Sequence, residues 1–191
     1  MEHSYAREGV RKIYNAEILS IVSLVIGVLS VIPLVGVVFA VIAGVIGLVS
    51  FVISLSGTKM AGKDEDGYNN AHKTLMFVIL IAVIAIIVGM FAPTASSYLD
   101  DIADICNIIV VYFVMGATLR LLNGNGNTEL AKNGNSVWTF YAVAIVIGAV
   151  ASLLSTIIPA TEIILSIVSG IFEIVAYLMY LSFLKKAYPV L

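Results

Sequence analysis

Glu173 stands at the centre of an apolar stretch running from Ile163 to Leu184, about ten residues, or roughly 15 Å of helical rise, from either end. A carboxylate at that depth must face a bundle interior or a watery cavity. It does not prevent insertion, because the surrounding Val, Ile, Leu and Phe each contribute about −0.3 to −0.6 kcal/mol against about 2.5 to 3.5 kcal/mol for one central acid. Glu162, Ser166, Ser169, Glu173, Tyr177 and Tyr180 recur at steps of three and four, so they share one helical face. A shorter stripe, Asp100, Asp104 and Asn107, enters the stretch Ile102 to Leu122 from its first end.

Two chemistries suit these residues. In one, an acidic mouth formed by Asp100, Asp104 and Asn107 concentrates cations or protons, and Glu173 binds or relays them. In the other, Glu173 is protonated and bonded to a tyrosine, a serine or Asn107, joining helices without transporting anything. The remaining polar clusters are less specific. Asp64, Glu65, Asp66 and Gly67 lack the glycine position and the twelfth-position Glu of a calcium loop. His3 and His72 have no ligand spacing between them, and Gly124 and Gly126 lack the strand and helix of a phosphate loop. Cys106 has no histidine partner, and no serine stands in a pattern with a base. The expectation is a protein that is not an enzyme and has no cofactor, metal site or nucleic-acid partner.

The elements that position these residues are membrane spans. The 191-residue chain is 61% hydrophobic and 12% charged, against about 45 to 50% and about 25% for a soluble domain. From Ile18 to Leu55 there is no charged side chain, which is too long for one crossing at roughly 20 residues per span. Further apolar stretches occupy Thr74 to Leu99, Ile102 to Leu122, Val137 to Thr161 and Ile163 to Leu184. Pro33, Pro93 and Pro159 each fall near a turn between two stretches, where a helix commonly stops. The predicted fold is all-α: a polytopic bundle of six transmembrane helices in three helical hairpins, about 18–55, 74–122 and 137–185, forming a single integral membrane domain. Residues 1–17 are expected to be a cytoplasmic segment, and 56–73 and 123–136 cytoplasmic linkers. Spacings from each proline to Phe51, Tyr112 and Tyr177, and then to Lys59, Arg120 and Lys185, are nearly equal, as in a hairpin repeat, although the bilayer alone imposes similar dimensions.

All ten basic residues fall in the terminal segments, the two linkers or beside them, and none in the hairpin turns, which carry Asp100, Asp101 and Glu162. Positive charge beside spans is retained in the cytoplasm, so both termini are expected inside an inner or plasma membrane. Packing between spans in lipid depends on small residues. Ser20, Ser23, Gly27 and Ser30 form one such stripe; Gly36, Ala40, Gly44 and Gly47 form a second, with Gly89 and Gly148 on later spans. These stripes predict seams within hairpins or, alternatively, faces for a homo-oligomer or a membrane-complex partner. Function therefore divides into a small transporter or channel, cation- or proton-coupled, and a non-transporting scaffold, regulatory or assembly subunit. The lipid bilayer is the partner common to both.

Overall fold

The computed structural model describes residues 4–33 and 35–191; His3 and Leu34 lie outside the described residues. The chain is an all-α bundle, 92% helical. Its helices are α1 (Ser4–Val28), α2 (Gly36–Ala61), α3 (Asp66–Gly89), α4 (Pro93–Gly124), α5 (Thr128–Ile157) and α6 (Glu162–Ala187), with short 3-10 turns at Leu29–Val31, Pro159–Thr161 and Tyr188–Val190. All six helices are long and apolar enough to cross a membrane, and the protein is a multi-pass membrane protein. The helices pair as hairpins α1–α2, α3–α4 and α5–α6, and lesser contacts of α2 with α3, α4 with α5 and α1 with α6 close the three hairpins into a ring.

The prolines sit where the chain reverses. Pro33 lies in the first turn, Pro93 is the first residue of α4 and Pro159 opens the 3-10 turn ahead of α6. A missing N–H costs nothing at a first helical position, where that donor has no partner in any case.

Helix ends differ from the sequence reading in one direction: the helices run further. Of the segment 1–17, expected as a cytoplasmic stretch ahead of the first span, residues 4–17 are the first turns of α1, which continues unbroken from Ser4. The expected linkers shrink to residues 62–65 and 125–127. Polar residues at these ends continue the helix for one physical reason, that Ala, Arg, Glu and Lys are good helix formers once apolar neighbours have nucleated the turn. Of the two short linkers, Asn125–Asn127 turns through Gly126 at φ 80°, a conformation open to glycine at no steric cost.

The ends of the bundle that carry these linkers are locked together. Asp64 Oδ2 accepts the free first-turn N–H of Ala6 at 2.7 Å, capping α1 from the α2–α3 linker. Glu65 Oε1 takes Arg120 Nε at 2.7 Å, Asp66 accepts Asn69, and the Lys63 ammonium lies 4.4 Å over the Tyr5 ring. The acidic run 64–66 is thereby used up in tying α1, α3 and α4 together. Beneath it lies the main core: Val10, Ile13, Tyr68, Val114, Met115, Leu122, Tyr180, Phe183 and Leu184, all at most 1% exposed. Glycines let backbones meet here. A Cβ on Gly9 would lie 2.6 Å from the backbone of both Gly57 and Ala61. The opposite, turn-side ends hold no comparable core, and Asp100, Asp104, Ala40 and Glu162 are exposed there.

Candidate functional site

Below the level at which the linker-side core closes, a cavity of about 340 Å³ occupies the centre of the ring. It is lined by residues of all six helices, among them Glu17 and Ser20 of α1, Ser50 and Ser54 of α2, Leu75 of α3, Asn107 of α4, Tyr141 of α5 and Tyr177 of α6. The face of α1 explains why Glu17 is there. Val10, Ile13, Glu17 and Ser20 follow at steps of three and four, so the acid continues the row whose first members are fully buried.

The Tyr177 hydroxyl donates to Glu17 Oε2 at 2.5 Å and lies 3.3 Å from the Glu17 carbonyl oxygen. This bond ties α6 to α1, the one pair of neighbouring helices in the ring with no connecting loop. Ser50 donates its single proton to the Ala16 carbonyl at 2.6 Å, so the 2.7 Å contact between Ser20 and Ser50 has Ser20 as donor. Those two hydroxyls are satisfied within the protein. The second carboxylate oxygen of Glu17, the Asn107 amide and the Ser54 hydroxyl make no side-chain hydrogen bond among the described residues and are left to the cavity. No Lys, Arg or His lines the space, so its formal charge is that of one carboxylate.

Aromatic rings back the cavity on one side. Tyr177 and Tyr141 each approach Tyr180, with centroids 6.3 and 6.2 Å apart; Tyr141 stacks on Trp138 at 6.1 Å, and Trp138 meets Tyr112 at 5.4 Å. Tyr180 is itself buried in the linker-side core. One side of the cavity is thus continuous with the best-packed part of the molecule.

Glu173 lies elsewhere. It is exposed and lines a separate groove of about 570 Å³ between α5 and α6, together with Gly148, Ser152, Ser155, Glu162, Ser166 and Ser169. Gly148 makes room for it, since a Cβ there would lie 2.7 Å from Glu173 Oε1. The stripe Glu162, Ser166, Ser169 and Glu173 does share a face, and one turn further along it Tyr177 reaches the central cavity. Asn107, itself exposed, borders the cavity that Glu17 lines, and Asp104 and Asp100 stand one and two turns outward on the same face of α4, also exposed. The α4 stripe therefore leads to Glu17, and Glu173 belongs to the α5–α6 groove.

The packing glycines divide similarly. A Cβ on Gly27 would lie 3.9 Å from Ala43 Cβ and one on Gly47 3.3 Å from Ser23 Oγ, across the α1–α2 seam; one on Gly36 would run into the Ser30 carbonyl, and one on Gly89 would lie 3.4 Å from Ser96 Oγ. Gly44 has no atom within 4 Å of where its Cβ would be, and Ala40 is exposed. The close approaches at Gly9, Gly57 and Gly134, where a Cβ would meet another helix at 2.7 Å or less, were not visible as stripes because they lie among polar residues at the helix ends. Glu17 was missed for a related reason, as it directly precedes the uncharged run that begins at Ile18; the signal that finds it is its three- and four-residue spacing from Val10, Ile13 and Ser20.

Compared with known families, curated proteins and solved structures, the chain matches none.

Proposed function

We propose that this protein is a small carrier or channel of an inner or plasma membrane that binds a cation in the central cavity, with Glu17 as the charged ligand and Asp100, Asp104 and Asn107 as its approach. The observation that supports this most is the cavity itself: six helices converge on a space whose one formal charge is a carboxylate and whose remaining polar groups are uncharged oxygens and an amide. A carboxylate removed from bulk water with no basic partner is costly unless it takes up a proton or a cation supplies the missing charge. On this reading the basic residues place both termini and both linkers in the cytoplasm. The linker-side core then seals the cytoplasmic side, and the cavity opens outward. Glu173 serves as a second acid along α6, separated from Glu17 by Tyr177.

Proton and cation flux into liposomes holding the full chain tests this. Flux in the native protein that falls at least tenfold in Glu17→Gln, with most retained in Glu173→Gln, is the expected result. The reverse pattern would move the binding group to Glu173, and no flux in the native protein would end the transport reading. Sidedness is tested by labelling a cysteine placed at exposed Asn133 in a Cys106→Ser background; labelling from outside intact cells would overturn the orientation.

A second reading, a non-transporting subunit of a larger membrane complex, draws support from the uncovered small residues Ala40 and Gly44, which leave a shallow face on α2 open to another helix.

A further inference from the structure

We propose that the ligand of the central cavity is a small organic ammonium ion, an amine or quaternary ammonium of about the size of choline, held between the Glu17 carboxylate and the aromatic residues Tyr141 and Tyr177. This rests on the reading of the cavity as the ligand site and specifies which cation it takes.

Three cations are compatible with a single carboxylate, and the rest of the lining separates them. A proton would sit on the Glu17 carboxyl that Tyr177 already bonds and use none of the space, whereas about 340 Å³ is open beside it. That volume falls at the lower end of the range for small-molecule pockets, about 300 to 1,000 Å³. A hard metal ion needs a close shell of about six or more oxygens, most efficiently supplied by several carboxylates. Here one carboxylate faces a wide cavity, and among the described residues no group of three His, Cys, Asp or Glu side chains is placed to hold a metal ion.

An organic ammonium is larger, more weakly hydrated and attracted to aromatic faces as well as to anions. Phe51, Tyr141 and Tyr177 line the space, and Tyr180 and Trp138 support the two tyrosines from behind. The Tyr177 hydroxyl holds one oxygen of Glu17 in place and leaves the other for the ligand. Asn107 and Ser54 offer hydrogen-bonding groups on the same lining, suited to a hydroxyl or an N–H carried on the ammonium. The exposed acids Asp104 and Asp100 attract any cation toward the mouth but do not discriminate among them.

The test is equilibrium binding of radiolabelled choline to the full chain in detergent at fixed ionic strength, displaced in turn by tetramethylammonium, sodium ion and 3,3-dimethylbutanol, the neutral isostere of choline. Saturable binding, displaced by tetramethylammonium and at least tenfold less well by sodium or the isostere, is expected. Glu17→Gln should weaken it at least tenfold. Tyr141→Phe should retain it, whereas Tyr141→Leu should weaken it by about fivefold. The Phe and Leu pair at position 141 keeps the test decisive if Glu17→Gln does not fold. Displacement by sodium or by the isostere as effective as by tetramethylammonium would overturn the assignment, and so would equal binding in Tyr141→Leu and Tyr141→Phe. The two readings fail separately. Choline binding without flux of any cation removes the carrier and keeps the ligand class. Proton or sodium flux without choline binding removes the ligand class and keeps the carrier.

Discussion

The linker-side and turn-side halves of this bundle are made from the same kinds of residue and behave differently. Val, Ile and Leu dominate both, yet Val10, Ile13, Leu122 and Leu184 are fully buried in one half, while Val28, Val41, Ile163 and Ile167 are more than half exposed in the other. Apolarity cannot be the cause, because a lipid tail solvates Leu as well as another Leu does. What separates the halves is close backbone approach and polar pairing. On the linker side Gly9 and Gly57 bring α1 onto α2, Phe183 fills the space over Gly134, and Asp64, Glu65 and Tyr68 find partners on other helices. On the turn side Gly44 and Gly170 meet nothing within 4 Å. The linker-side half is thus the more closely packed of the two, and the cavity with Glu17 lies between them.

The largest expected effect comes from removing the ring at the centre of the packed half. Phe183→Ala should lower stability by about 3 kcal/mol, since the ring is 1% exposed and the void above Gly134 cannot close. Thermal unfolding in detergent measures it, with Leu153→Ala, 67% exposed on the turn side, as the control expected within about 0.5 kcal/mol of the native protein. Equal losses at the two positions would mean that the halves do not differ in packing. Gly9→Ala comes next at about 2 kcal/mol, because its new methyl would meet backbone atoms of Gly57 and Ala61 at 2.6 Å, and a backbone cannot turn aside as a side chain can.

How much of this was legible in the sequence follows the same division. The bilayer fixes the length of a span, and prolines mark its ends, so six helices in three hairpins could be read from apolar stretches alone. Periodicity also placed Glu162, Ser166, Ser169 and Glu173 correctly on one face, because that is a property of a single helix. Which neighbour the face meets is not such a property. Glu173 opposes Gly148 and a groove, Asn107 opposes Glu17, and both outcomes depend on the rotation of helices about axes that no local pattern specifies. Glu17 was hidden because a charged residue at the edge of an apolar run looks like the edge of the membrane, although its helix continues inward without a break.

A smaller effect probes the polar pairing of the packed half. Tyr68 and Thr118 share a fully buried hydrogen bond of 2.7 Å between α3 and α4, and Thr118 also donates to the Val114 carbonyl at 2.7 Å. With its proton given to Val114, the threonine oxygen accepts from Tyr68, so Tyr68→Phe removes a donor and leaves Thr118 still bonded. The expected loss is about 1 kcal/mol, read by the same unfolding measurement. Thr118→Val removes the acceptor and leaves the Tyr68 hydroxyl buried without a partner, so it should cost more than Tyr68→Phe. The opposite ranking would show that the hydroxyl finds a different partner.

Gly44→Ala is expected to have the smallest effect, and it tests the loose half most directly. The position lies inside α2, where glycine costs about 1 kcal/mol relative to alanine through backbone entropy in an aqueous helix. The added methyl has open space around it, so no packing loss opposes that gain. In the isolated protein the substitution should therefore be neutral or stabilising by up to about 1 kcal/mol, opposite in sign to Gly9→Ala. If Gly44 and Ala40 form a face for another helix, the same methyl would obstruct the close approach that glycine permits. A destabilising Gly44→Ala in native membranes, with a neutral one in detergent, would then separate an assembled protein from one that works alone.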